Sequence, residues 1–539
     1  MSTKGYSARE KKMKVSHKII GLVHRLVEFV GRFIFLLAAY ISGPGESQPP
    51  ITDMIHTLRS CKAIAMMIRE KRVTATSVVQ AYIDRIKEVQ PILNCVCEDR
   101  FDEALNEARK CDELLASPSA PSSQILAEKK PFFGVPFTTK DCIGISGMKQ
   151  TAGLVLRKNT VADRDAEVIR LMRAAGAIPL ATTNVSELAM WWETGNCLYG
   201  TTRNPYNTRH IVGGSSGGEG CIQAAAASQF GIGSDIGGSI RIPCFFNGIF
   251  GHKPSKGVVS NDGQYPNPHS EDQDRLLGIG PMCRYATDLA PILKVLAGEN
   301  ASMLNLDEKV DISKLKVYYM LDDGGQLLVS PVDHEIKDGI KRVVKYLETA
   351  HKVKAKKVEI KKMKKSLALW LANMTSPDGK DFAHELANRK GRISLGWEFL
   401  KWFTRTGSHT FIALVTAAFE MFKFKHDSEE RTTLIQQSRE LYQEFKDMLG
   451  DDGVFLYPTH PTAAPLHHEP LIKPFNFAYT GIINILGLPA TACPLGLNKQ
   501  GLPIGLQVVA GHLQDHLSLA VAVELENAFG GWVLPAISY

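Results

Sequence analysis

The chain has 539 residues, 44% of them hydrophobic, ten cysteines, sixteen histidines and a formal net charge of +7. That apolar share supplies a large core and excludes a disordered polar chain. The cysteines lack paired zinc-ligand spacing, the histidines form no H-E-x-x-H motif and no nucleic-acid recognition module accompanies the charge, so metal, cofactor and nucleic acid are not indicated.

Residues 1–50 open with a basic head of Lys4, Arg9, Lys11, Lys12, Lys14 and Lys18. Ile19 to Ile41 follows, apolar but interrupted by His24, Arg25, Glu28 and Arg32. Helical spacing places Lys18, Arg25, Glu28 and Arg32 on one face and Ile20, Val23, Val27 and Val30 on the other. The uninterrupted run, Phe33 to Ile41, has nine residues, against the roughly 20 a spanning helix needs. The expectation is an amphipathic helix in the plane of a membrane, its tail dipping deeper. A single span with paired or snorkelling charges, a transmembrane helix, stays open, as does a helix packed on the protein core.

Cys95-Val96-Cys97 is the one close cysteine pair and reads as buried free thiols, which favours a reducing compartment. Phe132 to Thr139 reads as a buried strand that ends at Lys140, where burial disfavours the ammonium form. Asp163 to Gly176 reads as a helix, with Val168, Leu171, Met172 and Ala175 at helical spacing, and Ile178 to Ala181 as the next strand. Leu315 to Met320 is a further strand. This alternation predicts an α/β architecture, with residues 51–539 as one large domain whose helices flank a mixed sheet. Ala189-Met190-Trp191-Trp192 lines a binding channel or packs in the core.

Two serines set in glycine follow. Ser215 lies in Gly213-Gly214-Ser215-Ser216-Gly217-Gly218 and Ser239 in Gly237-Gly238-Ser239-Ile240-Arg241. With Lys140, these residue types suit a hydrolase with a serine nucleophile and a neutral lysine as base. Backbone N–H groups of Ile236-Gly237-Gly238-Ser239 suit an oxyanion, since glycine permits close approach. Other readings remain at this point. Gly213 to Gly217 fits a G-x-S-x-G elbow with Ser215 as nucleophile, although no downstream segment stands out as the histidine partner. Gly231-Ile232-Gly233-Ser234-Asp235-Ile236 begins like a dinucleotide fingerprint but puts Ile236 at the last glycine, and neither loop ends in Gly-Lys-Ser/Thr. Plain turns beside a solvated lysine are the blandest alternative.

Lys352 to Lys365 holds eight lysines and reads as a solvated face. Leu395 to Lys425 interleaves Trp397, Phe399, Trp402, Phe403, Phe411, Phe419, Phe422 and Phe424 with Lys401, Arg405, Lys423 and Lys425. Such a pattern is either core or an interfacial surface facing lipid.

Taken together, Gly213 through Arg241 resembles the amidase signature family. The resemblance takes in Phe133 to Asp141, Gly176 to Asn184, Gly280 to Arg284, Asn484 to Ala490 and Gly501 to Gln507, and runs from about Asp53 to the C-terminus. It implies a large mixed, twisted sheet with helices on both faces. It makes Ser239 the acylated nucleophile, Ser215 the bridging serine with a cis peptide beside it, and Lys140 the base. It gives the backbone of Ile236, Gly237, Gly238 and Ser239 the oxyanion role, makes Ser216 a supporting residue and has Arg241 brace the loop. Residues 395–425 look like the membrane cap of the fatty-acid amide hydrolases within this family. That likeness implies a lipid amide substrate, an N-acylethanolamine or a primary fatty amide, at an intracellular membrane surface, with a homodimer as an open expectation. An amidase of small non-lipid amides, or an inert membrane lipid-binding protein, are the alternatives.

Overall fold

The computed structural model describes residues 3–535 except 42, 44, 47, 52, 54–56, 269, 376–380 and 421–426, and describes 3–20, 39 and 272 by their backbone only. The side chains of the basic head therefore lie outside the described residues, as do Phe422, Lys423, Phe424 and Lys425.

Eleven strands form one mixed sheet. In chain order they are β1 (Val96–Asp99), β2 (Pro136–Lys140), β3 (Ile178–Thr183), β4 (Phe230–Asp235), β5 (Phe250–Lys253), β6 (Gly278–Cys283), β7 (Lys316–Tyr319), β8 (Lys356–Lys357), β9 (Gly453–Tyr457), β10 (Ala490–Leu497) and β11 (Pro503–Ala510). Their spatial order is β1-β3-β2-β4-β6-β5-β10-β11-β9-β7-β8. The contacts β3–β2, β2–β4, β9–β7 and β7–β8 are parallel and the others antiparallel.

The helices that bear on the argument are α1 (Thr3–Ile41), α2 (Glu167–Ala174), α3 (Gly217–Ala224), α4 (Arg241–Phe246), α5 (His334–Ala350), α6 (Ser366–Met374), α7 (Phe382–Leu386), α8 (Leu395–Phe403), α9 (Phe411–Glu420), α10 (Glu429–Leu449), α11 (Ala478–Leu486) and α12 (Asp515–Phe529). Strand periodicity explains why they cover both faces, because successive side chains point to opposite sides. Val454, Leu456, Leu506 and Val508 join one core with Ile340 and Val343 of α5 and Leu519 and Ala522 of α12. Phe455, Tyr457, Ile504 and Val509 join the other with Phe445 of α10, Ile482 and Ile483 of α11 and Phe246 of α4.

Local differences from the sequence reading have local causes. The strand expected over Phe132 to Thr139 starts only at Pro136, because residues 131–134 form a turn, with Phe133 N–H donating to Lys130 O (3.0 Å) and Val135 N–H to Phe132 O (2.9 Å). The helix expected from Asp163 starts at Glu167. Its acidic lead-in serves the preceding loop instead, with Asp165 accepting from Ser146 N–H (2.8 Å) and Ala166 N–H donating to Gly144 O (2.8 Å).

The N-terminal segment is one helix, α1, and it meets the body by an unexpected side. Gly21, His24, Glu28, Gly31 and Phe35 form the half-buried stripe. Glu28 accepts from the Ser330 hydroxyl, so it leaves the polar face shared with Arg25 and Arg32, which stay exposed. A Cβ on Gly31 would lie 2.6 Å from Ile472 Cδ1, so glycine there permits the close approach. Leu22, Leu26, Phe29, Phe33, Leu37 and Tyr40 are left outward, Phe29 being 73% exposed. An apolar face packed on the core is thus not what holds α1. The transmembrane helix is not supported either: among the described residues no helix is long and apolar enough to cross a membrane.

The aromatic segment forms α8 and α9, with Trp402 and Phe411 ring centroids 4.7 Å apart. Trp397, Trp402, Phe403 and Phe419 are exposed, Phe403 by 79%.

Candidate active site

Three chain segments converge on one pocket. β2 ends there with Lys140, the turn into α3 brings Ser215, and the loop after β4 brings Ser239. The Gly214–Ser215 peptide is cis. Thr194 secures the turn, its hydroxyl donating to Gly213 O (2.8 Å) and accepting from Gly217 N–H (3.1 Å). Ser216 joins the two serine segments: its N–H donates to Ser239 O (3.1 Å) and its hydroxyl to Ser234 O (3.3 Å).

Lys140 and Ser215 are fully buried, and Lys140 Nζ lies 2.6 Å from Ser215 Oγ. It also lies 3.1 Å from Ser234 Oγ and 3.5 Å from Ser234 O. All three contacts lie within donor reach of the Lys140 amine, which donates to Ser215 Oγ, Ser234 Oγ and Ser234 O. Burial drives the Lys140 ammonium down from its ordinary range, against the opposing pull of Cys142 and Asp235. Ser239 is half-buried, and its hydroxyl makes no hydrogen bond to a described residue. No histidine lines the pocket among the described residues. His252, which pairs with the buried carboxylate of Asp515 (3.0 Å), lies in the interior and also contacts Thr491. A lysine, not a histidine, therefore stands at hydrogen-bond distance from Ser215.

The loop after β4 is shaped by a buried ion pair. Arg241 donates to both Asp235 oxygens (3.0 and 2.9 Å) and to Gln507 Oε1 (2.8 Å), Asn484 Oδ1 (2.6 Å) and Thr480 O (3.1 Å). Burial alone would raise the Asp235 carboxyl, but the charge and hydrogen bonds of Arg241 hold it well below the carboxylate range. Asp235 also accepts from Gly238 N–H (2.7 Å) and Ile240 N–H (3.1 Å). Gly238 is thereby committed, while the N–H groups of Ile236, Gly237 and Ser239 donate to no described residue. Their carbonyls are drawn away: Trp370 Nε1–H donates to Ile236 O (3.0 Å) and Thr480 Oγ1–H to Gly237 O (2.7 Å). Gly238 has φ +126, and a Cβ there would lie 2.1 Å from Thr480 Oγ1. Arg241→Met should destabilise the fold by about 3–5 kcal/mol, since it leaves the Asp235 charge buried and unpaired. Urea unfolding measures this, and a loss below about 1 kcal/mol would contradict the bracing role.

Sequence reasoning missed the partners of these residues. Asn484 and Gln507 lay inside recognisable motifs without a role, and Asp235 lay in the glycine stretch that resembles a nucleotide loop. Glu219 was missed entirely. It is buried in α3 and accepts from Thr138 of β2 (2.9 Å) and Thr183 of β3 (2.8 Å), tying together the elements that carry Lys140 and Ser215. Burial pushes its carboxyl up to about 7, against the pull of those hydroxyls.

The pocket has an empty volume of about 830 Å³, part of it open to solvent. Leu188, Ala189, Met190, Ile236, Leu277, Met374 and Phe382 supply apolar wall, and Asp381, Glu385, Arg389 and Glu420 supply charge. Leu188 and Ala189 adopt the left-handed conformation, with φ 54 and 58, at a cost of about 1–3 kcal/mol each. Of the neighbouring tryptophans, Trp192 packs in the core, its Nε1–H donating to Pro474 O (3.1 Å), and Trp191 lines a separate small cavity. The expected channel segment thus splits between wall and core.

A family model described as Amidase matches residues 77–519. Fatty-acid amide hydrolase 2-A of Danio rerio is 48% identical over 524 residues, covering 96% of this chain and 97% of that protein. Fatty-acid amide hydrolase 2 of Homo sapiens is 48% identical over 519 residues, covering 95% and 96%. Among solved structures, one titled "Fatty acid amide hydrolase" superposes with a TM-score of 0.69 at 22% identity, covering 88% of this chain and 86% of that one, a likeness of fold. A lysine–serine pair buried beneath an apolar pocket, in a chain so matched, places this protein in the amidase signature family as an amide-hydrolysing enzyme.

Proposed function

We propose that this enzyme hydrolyses long-chain fatty acid amides, N-acylethanolamines and primary fatty amides among them, to the free fatty acid and an amine or ammonia. The observation that carries the chemistry is the 2.6 Å contact of Lys140 with Ser215 in the pocket that also holds Ser239. Ser239 attacks the carbonyl carbon and passes its proton to Ser215, which passes its own to neutral Lys140. The oxyanion is received by the uncommitted N–H groups of Ile236, Gly237 and Ser239. Lys140 then returns a proton through Ser215 to the departing nitrogen, which leaves as a neutral amine. Water resolves the acyl-enzyme by the same route. The free Ser239 hydroxyl suits a resting enzyme, because catalytic hydrogen bonds often tighten only with substrate bound.

The apolar wall from Leu188 to Met190 and the kinship with proteins named fatty-acid amide hydrolase 2 support an acyl substrate. The outward apolar residues of α1 and the exposed aromatics of α8 and α9 support work at a membrane surface, with α1 lying in plane. A series of amides of one amine should show kcat/KM rising with acyl length, by roughly tenfold or more from four to sixteen carbons, as each buried methylene contributes. A maximum at the shortest acyl groups would replace this reading with a small-amide amidase.

A further inference from the structure

The turn that carries Leu188, Ala189 and Met190 to the pocket is held from two sides. Its left-handed residues, φ 54 and 58, are a conformation that neither leucine nor alanine favours, so surrounding bonds must impose it. On the side of the catalytic frame, Leu188 N–H donates to Ala152 O (2.7 Å). Ser186 closes the turn, its hydroxyl donating to Trp191 O (2.9 Å) and accepting from Trp191 N–H (3.2 Å). On the opposite side stands Glu187, the residue directly before the strained pair, 4% exposed. Its carboxylate reaches out of the frame to the start of α9. It lies 2.7 Å from His409 Nδ1 and accepts from Thr410 N–H (2.8 Å) and the Thr410 hydroxyl (2.8 Å).

Three bonds from one buried carboxylate to one helix start make a stiff connection, because charge-assisted bonds are strong and a buried carboxylate left unpaired is costly. The connection joins two parts of the site. At its near end is the apolar wall of the pocket. At its far end is α9, the second helix of the aromatic pair, whose last residue, Glu420, lines the same pocket and accepts from Phe382 N–H (2.5 Å). A small cavity lies between wall and helix, lined by Glu187, Met190 and Trp191 on one side, Thr410 and Ala413 on the other, and Phe382 of α7.

We infer that Glu187 is a positioning residue for acyl-chain selection: its carboxylate fixes the Leu188–Met190 wall to α9, so that the aromatic helix pair sets the width of the pocket. The inference rests on the reading of that pocket as an acyl site. Lys140, Ser215 and Ser239 are placed by other bonds, described above, and do not depend on this connection. Losing it therefore affects substrates long enough to press on the wall and spares those that occupy only the catalytic end.

The test measures kcat and KM of Glu187→Ala and Glu187→Gln on amides of four to twenty carbons. It also measures the rate at which short- and long-alkyl fluorophosphonates label the active-site serine. Glu187→Ala should raise KM and slow labelling for the long chains by about tenfold, leaving short ones within about twofold. Glu187→Gln, which keeps an acceptor for Thr410, should fall between. Should Glu187→Ala not fold, Thr410→Val removes a single bond and should give the same selective pattern at smaller size. Equal losses at every length, or no loss at any, would overturn the inference. The variant-to-wild-type ratio at each length judges Glu187, whereas the wild-type profile alone judges the acyl-amide reading, so the two fail separately.

Discussion

Replacing Lys140 with alanine should slow amide hydrolysis by about 10³- to 10⁴-fold and ester hydrolysis far less, on the scale of general acid–base catalysis. The asymmetry follows from the leaving group. An alkoxide departs with little help, whereas an amine nitrogen must be protonated as its bond to carbon breaks. In the proposed relay Lys140, 2.6 Å from Ser215 Oγ, accepts the attacking proton and then returns it. The sign of the pH dependence follows from the same residue. Only neutral Lys140 can accept a proton, so kcat/KM should rise as pH rises through its pKa. Burial lowers that pKa, so the midpoint should fall below the ordinary lysine value of 10.5. The alanine variant should lose this limb. Equal losses on matched amide and ester substrates, or an unchanged limb, would show that Lys140 is not the base.

Replacing Ser239 with alanine should reduce amide turnover by about 10⁴- to 10⁶-fold, because removing a nucleophile forfeits the covalent route altogether. Its position favours this role over Ser215. Both serines line the pocket, but Ser215 is fully buried and already bonded to Lys140, whereas Ser239 is half-buried with its hydroxyl bonded to no described residue. The folded variant should keep its melting temperature, since that hydroxyl bonds to no described residue. The melting temperature separates loss of acylation from misfolding, and the burst of released amine reads acylation itself. A Ser239→Ala protein that retains the burst would move the nucleophile elsewhere.

What the sequence made legible was local. Lys140 ends an apolar run, and the serines sit in short glycine segments, so residue type and spacing alone suggested the chemistry. The sheet was legible only in outline, from alternating helical and strand periods. Contacts across long separations were not legible. Arg241 finds Asn484 and Gln507 more than two hundred residues away, and Glu187 finds His409 across 222 positions. No periodicity reports such a pairing. The side by which the N-terminal helix meets the body was illegible for another reason. Its apolar and charged faces were visible, but a helix can meet a protein through small residues, and Gly21 and Gly31 left no signal in the hydrophobic pattern. Aromatics in α8 and α9 had two readings because burial and lipid contact favour the same residue types; the exposure of Trp397, Trp402, Phe403 and Phe419 removes core burial for those four.

The central claim, that Ser239 attacks while Ser215 relays its proton to Lys140, is tested most directly by locating the covalent adduct. The detergent-solubilised protein is treated with a long-alkyl fluorophosphonate, digested, and mapped by mass spectrometry. The adduct is expected on Ser239, with labelling slowed in Lys140→Ala. An adduct on Ser215 would contradict that claim and make the first glycine loop the nucleophile elbow.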